Sequence, residues 1–164
     1  MDFAERLERA ETVAEIFEII KDAVREALNR ERAGLMLGLS DMGVMENGFI
    51  GAYHPVGSNV IVMNRTILER IAKADPSFVK PYTFHILLHE YLHTIGILDE
   101  ARTRLLTCEI CSQAFGEEHM VTRLSKDFEK LLPRVLGRDT GVPKQPDPSI
   151  TLVDGFEKDT NYIG

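Results

Sequence analysis

The segment His89-Glu90-Tyr91-Leu92-His93 sets two histidines four residues apart, with a glutamate directly after the first. On an α-helix, residues four apart are rotated by only about 40° and displaced by about 6 Å, so both imidazoles project from the same side. Two imidazoles at that spacing can bind one Zn²⁺. Glu90 would lie on the adjacent flank, where a carboxylate can take a proton from a metal-bound water. We therefore expect a helix that carries a metal site.

The residues around this segment predict that the helix is central and buried. It is expected to start near Pro81, because proline suits the first helical position, and to stop at Gly96. The other side chains that define its character are apolar: Phe84, Leu87, Leu88, Tyr91, Leu92 and Ile95. Two histidines and a glutamate in such a helix are costly to bury unless a metal or hydrogen bonds satisfy them. We prefer the metal to a pair of hydrogen-bonded core histidines.

The motif continues through Thr94-Ile95-Gly96-Ile97-Leu98-Asp99 and resembles the long HExxHxxGxxH motif of the metzincin metallopeptidases, with Asp in place of the last His. The chain is thus similar to zincin-type metallopeptidases, of a small prokaryotic or archaeal type. The resemblance covers about residues 13–120, and only the motif is specific. It implies a peptide substrate that lies along the edge strand of a small sheet.

A catalytic zinc ion usually has a third protein ligand besides two histidines. Asp99 stands where the metzincin motif has its last ligand, although it equally suits the N-cap of a following helix. His119 is the second candidate, in a predicted loop that follows Gly116. A weaker, gluzincin-like arrangement would use one of three later glutamates, Glu109, Glu117 or Glu118. The sequence leaves Asp99 and His119 as alternatives, of which only one is required.

Three further side chains have simpler interpretations. His85 lies one turn before His89, and we expect a hydrogen-bonded core histidine there rather than a support for the metal site. Cys108 and Cys111 have the spacing of half a zinc site, but no second Cys or His pair lies nearby. We expect them to be reduced and mostly buried thiols.

The first 63 residues predict helices followed by a small sheet. Apolar residues recur at steps of three and four within residues 2–32, which indicates one or two amphipathic helices. Thr12 and Glu15 fit a capping box, so a break near Glu11 is expected. Three apolar runs are predicted to be strands: a buried one over 34–39, and an antiparallel hairpin of 48–53 and 59–63.

Further helices are predicted over 64–74, 99–115 and 118–132, the last of which should end at Pro133. The expected fold class is α+β and zincin-like, with a small mixed sheet and an edge hairpin packed on several helices. We expect one catalytic domain over residues 1–136, because a chain of 164 residues with 44% hydrophobic content has the size of one domain. Residues 137–164 contain several Pro and Gly residues and are predicted to form a C-terminal tail.

Composition narrows the range of partners. The formal net charge is −7 and no run of Lys and Arg is dense enough to follow a phosphate backbone, so a nucleic-acid partner is not expected. No apolar stretch approaches the roughly 20 residues of a membrane span, and the first residues are charged, so we expect a cytoplasmic protein.

These observations predict a zinc-dependent metallopeptidase that hydrolyses peptide bonds, with His89 and His93 as ligands and Glu90 as general base. The alternative is a catalytically inactive or latent zincin-fold protein that acts as a binding or interaction module. In that case the N-terminal amphipathic helix would dock a partner or a second copy of the chain. The tail from Gly137 is the segment that would cover the cleft of a latent enzyme.

Overall fold

The computed structural model describes residues 1–44, 49–137 and 147–153. These residues confirm the α+β class. Their helices are α1 (Phe3–Arg9), α2 (Val13–Leu28), α3 (Arg65–Ala74), α4 (Val79–Thr94), α5 (Glu100–Phe115), α6 (Met120–Lys126) and α7 (Phe128–Leu136), and a 3-10 turn (Pro76–Phe78) precedes α4. Their strands are β1 (Met36–Asp41), β2 (Ala52–Tyr53), β3 (Val60–Asn64) and β4 (Asp147–Leu152). None of the helices in these ranges is both long enough and apolar enough to cross a bilayer.

The four strands form one small mixed sheet in the order β2-β3-β1-β4. β1 is parallel to β3, whereas β2 is antiparallel to β3 and β4 is antiparallel to β1. The predicted buried strand is confirmed, since β1 lies inside the sheet and Leu37 is fully buried. The predicted hairpin is also confirmed, because Ala52 pairs with Met63 and Tyr53 with Val62. β2 is therefore an edge strand, and it packs against α4.

The break between the first two helices falls where the capping box predicts it. The Thr12 hydroxyl accepts a hydrogen bond from the backbone N–H of Glu15 over 3.1 Å. The Glu15 carboxylate accepts from the backbone N–H of Glu11 instead of that of Thr12, so only half of the box forms as expected. α2 ends at Leu28, before the predicted limit, because Asn29 takes the left-handed conformation (φ 54°) that terminates helices.

The apolar stripe of α2 packs into the core of its own chain. Phe17, Ile20 and Val24 are fully buried, and the Phe17 ring meets the edge of the Tyr91 ring on α4 with the centroids 5.3 Å apart. A partner or second copy of the chain could not reach these side chains without unfolding the core. The stripe therefore stabilises the fold that positions α4.

α4 is buried along most of its length, as predicted. It begins at Val79 rather than at Pro81, and Pro81 lies within the first turn, where a missing N–H costs no hydrogen bond. Two arginines hold the C-terminal end: Arg32 donates to the carbonyls of Thr94 and Ser58, over 2.9 and 3.0 Å, and Arg30 donates to that of Ile95.

The prediction of one helix over 118–132 was wrong. The segment divides at Asp127, whose backbone (φ −122°, ψ 36°) leaves the helical region, and Pro133 lies inside α7 rather than after it. Pro133 removes one helical hydrogen bond. Leu132 and Val135 on either side of it are buried in a second apolar cluster with Ile71 and Tyr82, and this burial outweighs the missing bond.

Part of the predicted tail belongs to the sheet. β4 pairs with β1, and the N–H of Val153 donates to the carbonyl of Leu37 over 2.9 Å. β4 forms the edge opposite β2, because β3 and β1 lie between them. Residues 138–146 and 154–164 of the tail, and residue 48 of the predicted hairpin, lie outside the described residues.

Candidate metal centre

His89 and His93 project from the same side of α4, as their spacing predicts. Their Nε2 atoms are 3.2 Å apart, and the ring planes are nearly perpendicular at 86°. Two ligands of a tetrahedral zinc ion, each about 2.05 Å from the metal, lie about 3.3 Å from each other. The two nitrogens are thus spaced as two ligands of one metal ion.

The His93 ring is held in the tautomer that a metal ligand needs. Its Nδ1 lies 2.7 Å from the carbonyl oxygen of Ile97. A carbonyl only accepts, so Nδ1 is the donor of this bond and Nε2 is the nitrogen that faces the shared centre. The chain returns to the ring because Gly96, at φ 101°, adopts a conformation that side chains disfavour. Histidines that bind metals usually donate their other N–H to such a carbonyl or to a carboxylate.

Glu100 is the third side chain at this centre, and sequence reasoning missed it. It is the first residue of α5, and its carboxylate contacts both imidazoles. Oε2 lies 3.2 Å from Nε2 of His89, and Oε1 lies 2.8 Å from Nε2 of His93. Two imidazole nitrogens and a carboxylate oxygen are suitable donors for zinc.

The structure brings neither predicted third ligand to the imidazoles. The Asp99 carboxylate accepts from the backbone N–H of Ala101 over 3.3 Å and caps α5. His119 caps α6 through its Nδ1, which accepts from the N–H of Val121 over 3.1 Å, and its ring packs on Phe115. Asp2 acts on the pKa of His119, so this histidine lies near the start of α1.

The three glutamates of the weaker, gluzincin-like alternative do not approach the centre. Glu117 is hydrogen-bonded to Ser112 and Lys126, and Glu109 and Glu118 are exposed elsewhere on the surface. A signal for Glu100 existed in the sequence: once Asp99 is assigned to the cap of α5, the next acidic residue is the one free to face α4.

Glu90 is a buried carboxylate beside the imidazoles. One ligand atom from each of His89, Glu90 and His93 can be chosen so that all lie within 4.8 Å of one another. Burial raises the pKa of Glu90 to about 7, although His93 acts in the opposite direction. A carboxyl group with a pKa near neutrality can both accept and return a proton at physiological pH, as a general base must. Burial also lowers the pKa of His89, although Glu100 acts in the opposite direction, and this shift favours the neutral imidazole that binds a metal.

The centre lies in a cleft of about 670 Å³. Residues 49–52, which lead into β2, form one wall, and α5 with the α6–α7 junction forms the other. Between them α4 contributes four residues: His85, Ile86, His89 and Glu90. The cleft is large enough for several residues of a peptide.

His85 lines the cleft without joining the metal centre. Its ring stacks on Phe128 at a centroid distance of 4.8 Å, and its Nδ1 is buried with no hydrogen-bond partner in the described part of the chain. The expected hydrogen bond at Nδ1 is therefore missing. Burial, aided by His89, lowers the pKa of His85 to about 3, so its imidazole is neutral.

Both cysteines are free thiols, as expected. The Cys108 thiol lies 3.2 Å from the carbonyl of Ser125, to which it donates. Cys111 is fully buried, and burial raises the pKa of its thiol to about 12. Neither sulfur belongs to the metal centre.

Comparison of the chain with protein-family models, with curated proteins and with solved structures yields no match. The chemistry of the site itself therefore carries the functional conclusion.

Proposed function

We propose that the protein is a zinc-dependent peptidase of the zincin type. The observation that carries this proposal is the convergence of His89, His93 and Glu100, whose donor atoms lie 2.8–3.2 Å from one another, beside the buried Glu90 carboxylate. Two histidines and a glutamate form the protein ligands of many catalytic zinc sites, in which a fourth position stays open to water.

Zinc held at this site would lower the pKa of water towards about 7 and polarise the substrate carbonyl. Glu90 would take the proton from the attacking water and pass it to the leaving amine. Its raised pKa, about 7, suits both transfers at neutral pH. His93 contributes through its Nδ1–H bond to Ile97, which fixes the ring so that Nε2 faces the shared centre.

The edge strand supports a peptide as substrate. β2 is short, lies at the edge of the sheet and shares the lining of the cleft with His89 and Glu90 through Ala52, so an extended peptide can pair with it and add a strand to the sheet. Gly51 allows this wall to approach α4 closely, because a Cβ at this position would lie only 2.8 Å from the hydroxyl oxygen of Tyr82. Peptide pairing at this edge would bring a scissile carbonyl towards the imidazoles.

The test measures metal content and cleavage together. We expect one zinc ion per chain by elemental analysis, and cleavage of a mixed peptide library detected by mass spectrometry. Glu90→Gln, which preserves shape, should lower kcat by about 10²-fold or more without loss of zinc. His93→Gln should lose the zinc, whereas Glu109→Gln, an exposed glutamate on α5, should behave as the wild type.

Two results would contradict the proposal. One is a protein that binds zinc in full yet cleaves no peptide of the library, which would favour the binding module. The other is a Glu90→Gln variant that cleaves as fast as the wild type, since a peptidase without its general base would then be fully active.

A further inference from the structure

Arg104 lies on the wall of the cleft, beside the metal centre. It follows Glu100 by four residues on α5, so both side chains leave the helix on the same side. Its charge also lowers the pKa of His89, which places the guanidinium near the imidazoles. Arg104 is exposed and thus accessible to a molecule in the cleft.

The expected partner of Arg104 is engaged elsewhere. A glutamate and an arginine four residues apart on a helix can form an ion pair. The Glu100 carboxylate instead contacts His89 and His93, and among the residues that the structure describes Arg104 forms no ion pair. The structure therefore places a guanidinium that forms no ion pair with the described residues next to the candidate metal centre.

The cleft carries more acidic than basic side chains: Glu90, Glu100, Asp127 and Glu129 against Arg104, Lys126 and Lys130. The α6–α7 junction contributes two basic and two acidic side chains: Lys126, Asp127, Glu129 and Lys130. Lys126 is in addition paired with Glu117. Of the three cations, Arg104 is the one that lies on the same side of α5 as Glu100 and whose charge acts on His89.

We propose that Arg104 binds a carboxylate of the peptide substrate close to the scissile bond and so selects substrates that carry one there. This inference rests on the proposed peptidase function. The planar guanidinium matches a carboxylate through two parallel hydrogen bonds. The rise from Glu100 to Arg104 along α5 is about 6 Å, which corresponds to about two residues of an extended peptide. The carboxylate therefore belongs within about two residues of the bond to be cut, on an acidic side chain or at the C-terminus.

The experiment measures binding, so that it does not depend on cleavage. The probes are fluorescent hexapeptides whose other residues are uncharged. Glu or Gln is placed at each position in turn, and the C-terminus is free or amidated. They are titrated into zinc-loaded full-length protein that carries Glu90→Gln. We expect Glu at one position, or the free carboxylate, to bind about tenfold more tightly than its neutral counterpart. The two kinds of C-terminus distinguish the two sources of the carboxylate.

Variants at two arginines of α5 show which residue is responsible for the tighter binding of peptides that carry the carboxylate. Arg104→Gln should abolish the tenfold difference, and Arg104→Lys should restore part of it, because the charge returns without the planar fork. Arg102→Gln is the matched control, since Arg102 is exposed on the same helix but does not line the cleft. It should keep the full preference.

Three results would overturn this inference: acidic and neutral peptides bind equally, Arg104→Gln weakens both equally, or Arg104→Gln lowers kcat on every peptide without changing KM. The last would assign Arg104 to the reacting carbonyl oxygen instead. Wild-type protein that cleaves peptides with no acidic preference would leave the peptidase proposal standing and refute this one. If the chain bound acidic peptides through Arg104 but cleaved no peptide, the role of Arg104 in binding would stand and the peptidase proposal would be refuted.

Discussion

Asp99 and Glu100 are adjacent acidic residues, but Asp99 is the cap before α5 and Glu100 is the first residue of the helix. Asp99 is the extended N-cap (φ −70°, ψ 120°), so its short side chain turns back to the backbone N–H of Ala101. Glu100 is the first helical residue, and its longer side chain reaches across to α4. One residue of difference in the helix boundary therefore decides which carboxylate meets the imidazoles.

This division predicts opposite effects of two substitutions. Glu100→Gln should weaken zinc binding by at least about tenfold, because a charged donor is lost. Asp99→Ala should leave zinc affinity unchanged and lower the free energy of unfolding by about 1 kcal/mol through loss of the cap. Competition with a chromophoric chelator measures the affinity, and urea denaturation measures the stability. Zinc lost from Asp99→Ala but kept by Glu100→Gln would restore the metzincin-like ligand set.

His85 predicts a pH dependence of stability. Its pKa is about 3 in the folded protein and about 6.5 in the unfolded chain, so below pH 6.5 the unfolded state binds a proton that the folded state does not. The associated stability is complete above pH 6.5 and is lost as the pH falls towards 3. The loss attributable to His85 should reach about 2 kcal/mol at pH 5.

Urea denaturation at pH 7.5 and pH 5, with a chelator present to exclude zinc release, measures this dependence. His85→Phe preserves an aromatic ring against Phe128 and should lose less stability between the two pH values than the wild type. Equal losses in the two proteins would show that His85 does not titrate as its burial requires.

At the scale of elements, α4 is held at its C-terminal end by arginines from the segment that follows α2. Arg32 joins the Thr94 carbonyl to that of Ser58, in the connector between β2 and β3. Helices end with carbonyls that lack intrahelical partners, so a cation that donates to them is stabilising. The contact also ties the helix that carries His89 and His93 to the sheet that forms one wall of the cleft.

Arg32→Gln should therefore lower the free energy of unfolding by about 1–3 kcal/mol, since two charge-assisted hydrogen bonds are lost. Urea denaturation provides the measurement. Arg9→Gln, an exposed position on α1, is the control and should change stability by less than about 0.5 kcal/mol. Identical curves for the two variants would mean that the end of α4 does not depend on Arg32.

At the scale of the whole molecule, the sheet joins segments that lie far apart in the sequence. β4 comes from the C-terminal part and pairs with β1, on the edge away from β2 and the cleft. Residues 147–153 therefore stabilise the sheet instead of covering the metal centre. Residues 138–146 and 154–164 of the tail that was predicted to cover a latent enzyme lie outside the described residues.

Gly38 and Ile150 test this packing. A Cβ on Gly38 would lie 2.5 Å from Cγ2 of Ile150, so Gly38→Ala should displace β4 and cost about 1–3 kcal/mol of stability. The cost should be much smaller in an Ile150→Ala background, where the obstructing methyl group is gone. A double-mutant cycle by urea denaturation measures this coupling. Additive effects of the two substitutions would contradict the pairing of β4 with β1.

The features that the sequence by itself determined depend on side chains within a few residues of each other. The histidine pair with Glu90, the cap at Thr12 and the end of α4 near Gly96 were all predicted, because helix spacing and capping are local interactions. The cap at Asp99 was one of two alternatives.

Only the tertiary structure decided the features that join distant segments. These are the contact of Glu100 with α4, the division at Asp127 with Pro133 inside α7, and the place of β4 beside β1. Sequence spacing does not specify which surfaces pack together, and burial against a neighbouring element can outweigh a local preference. The HExxH histidines were therefore identifiable in the linear sequence, whereas the carboxylate that meets them was set by the packing of α5 on α4.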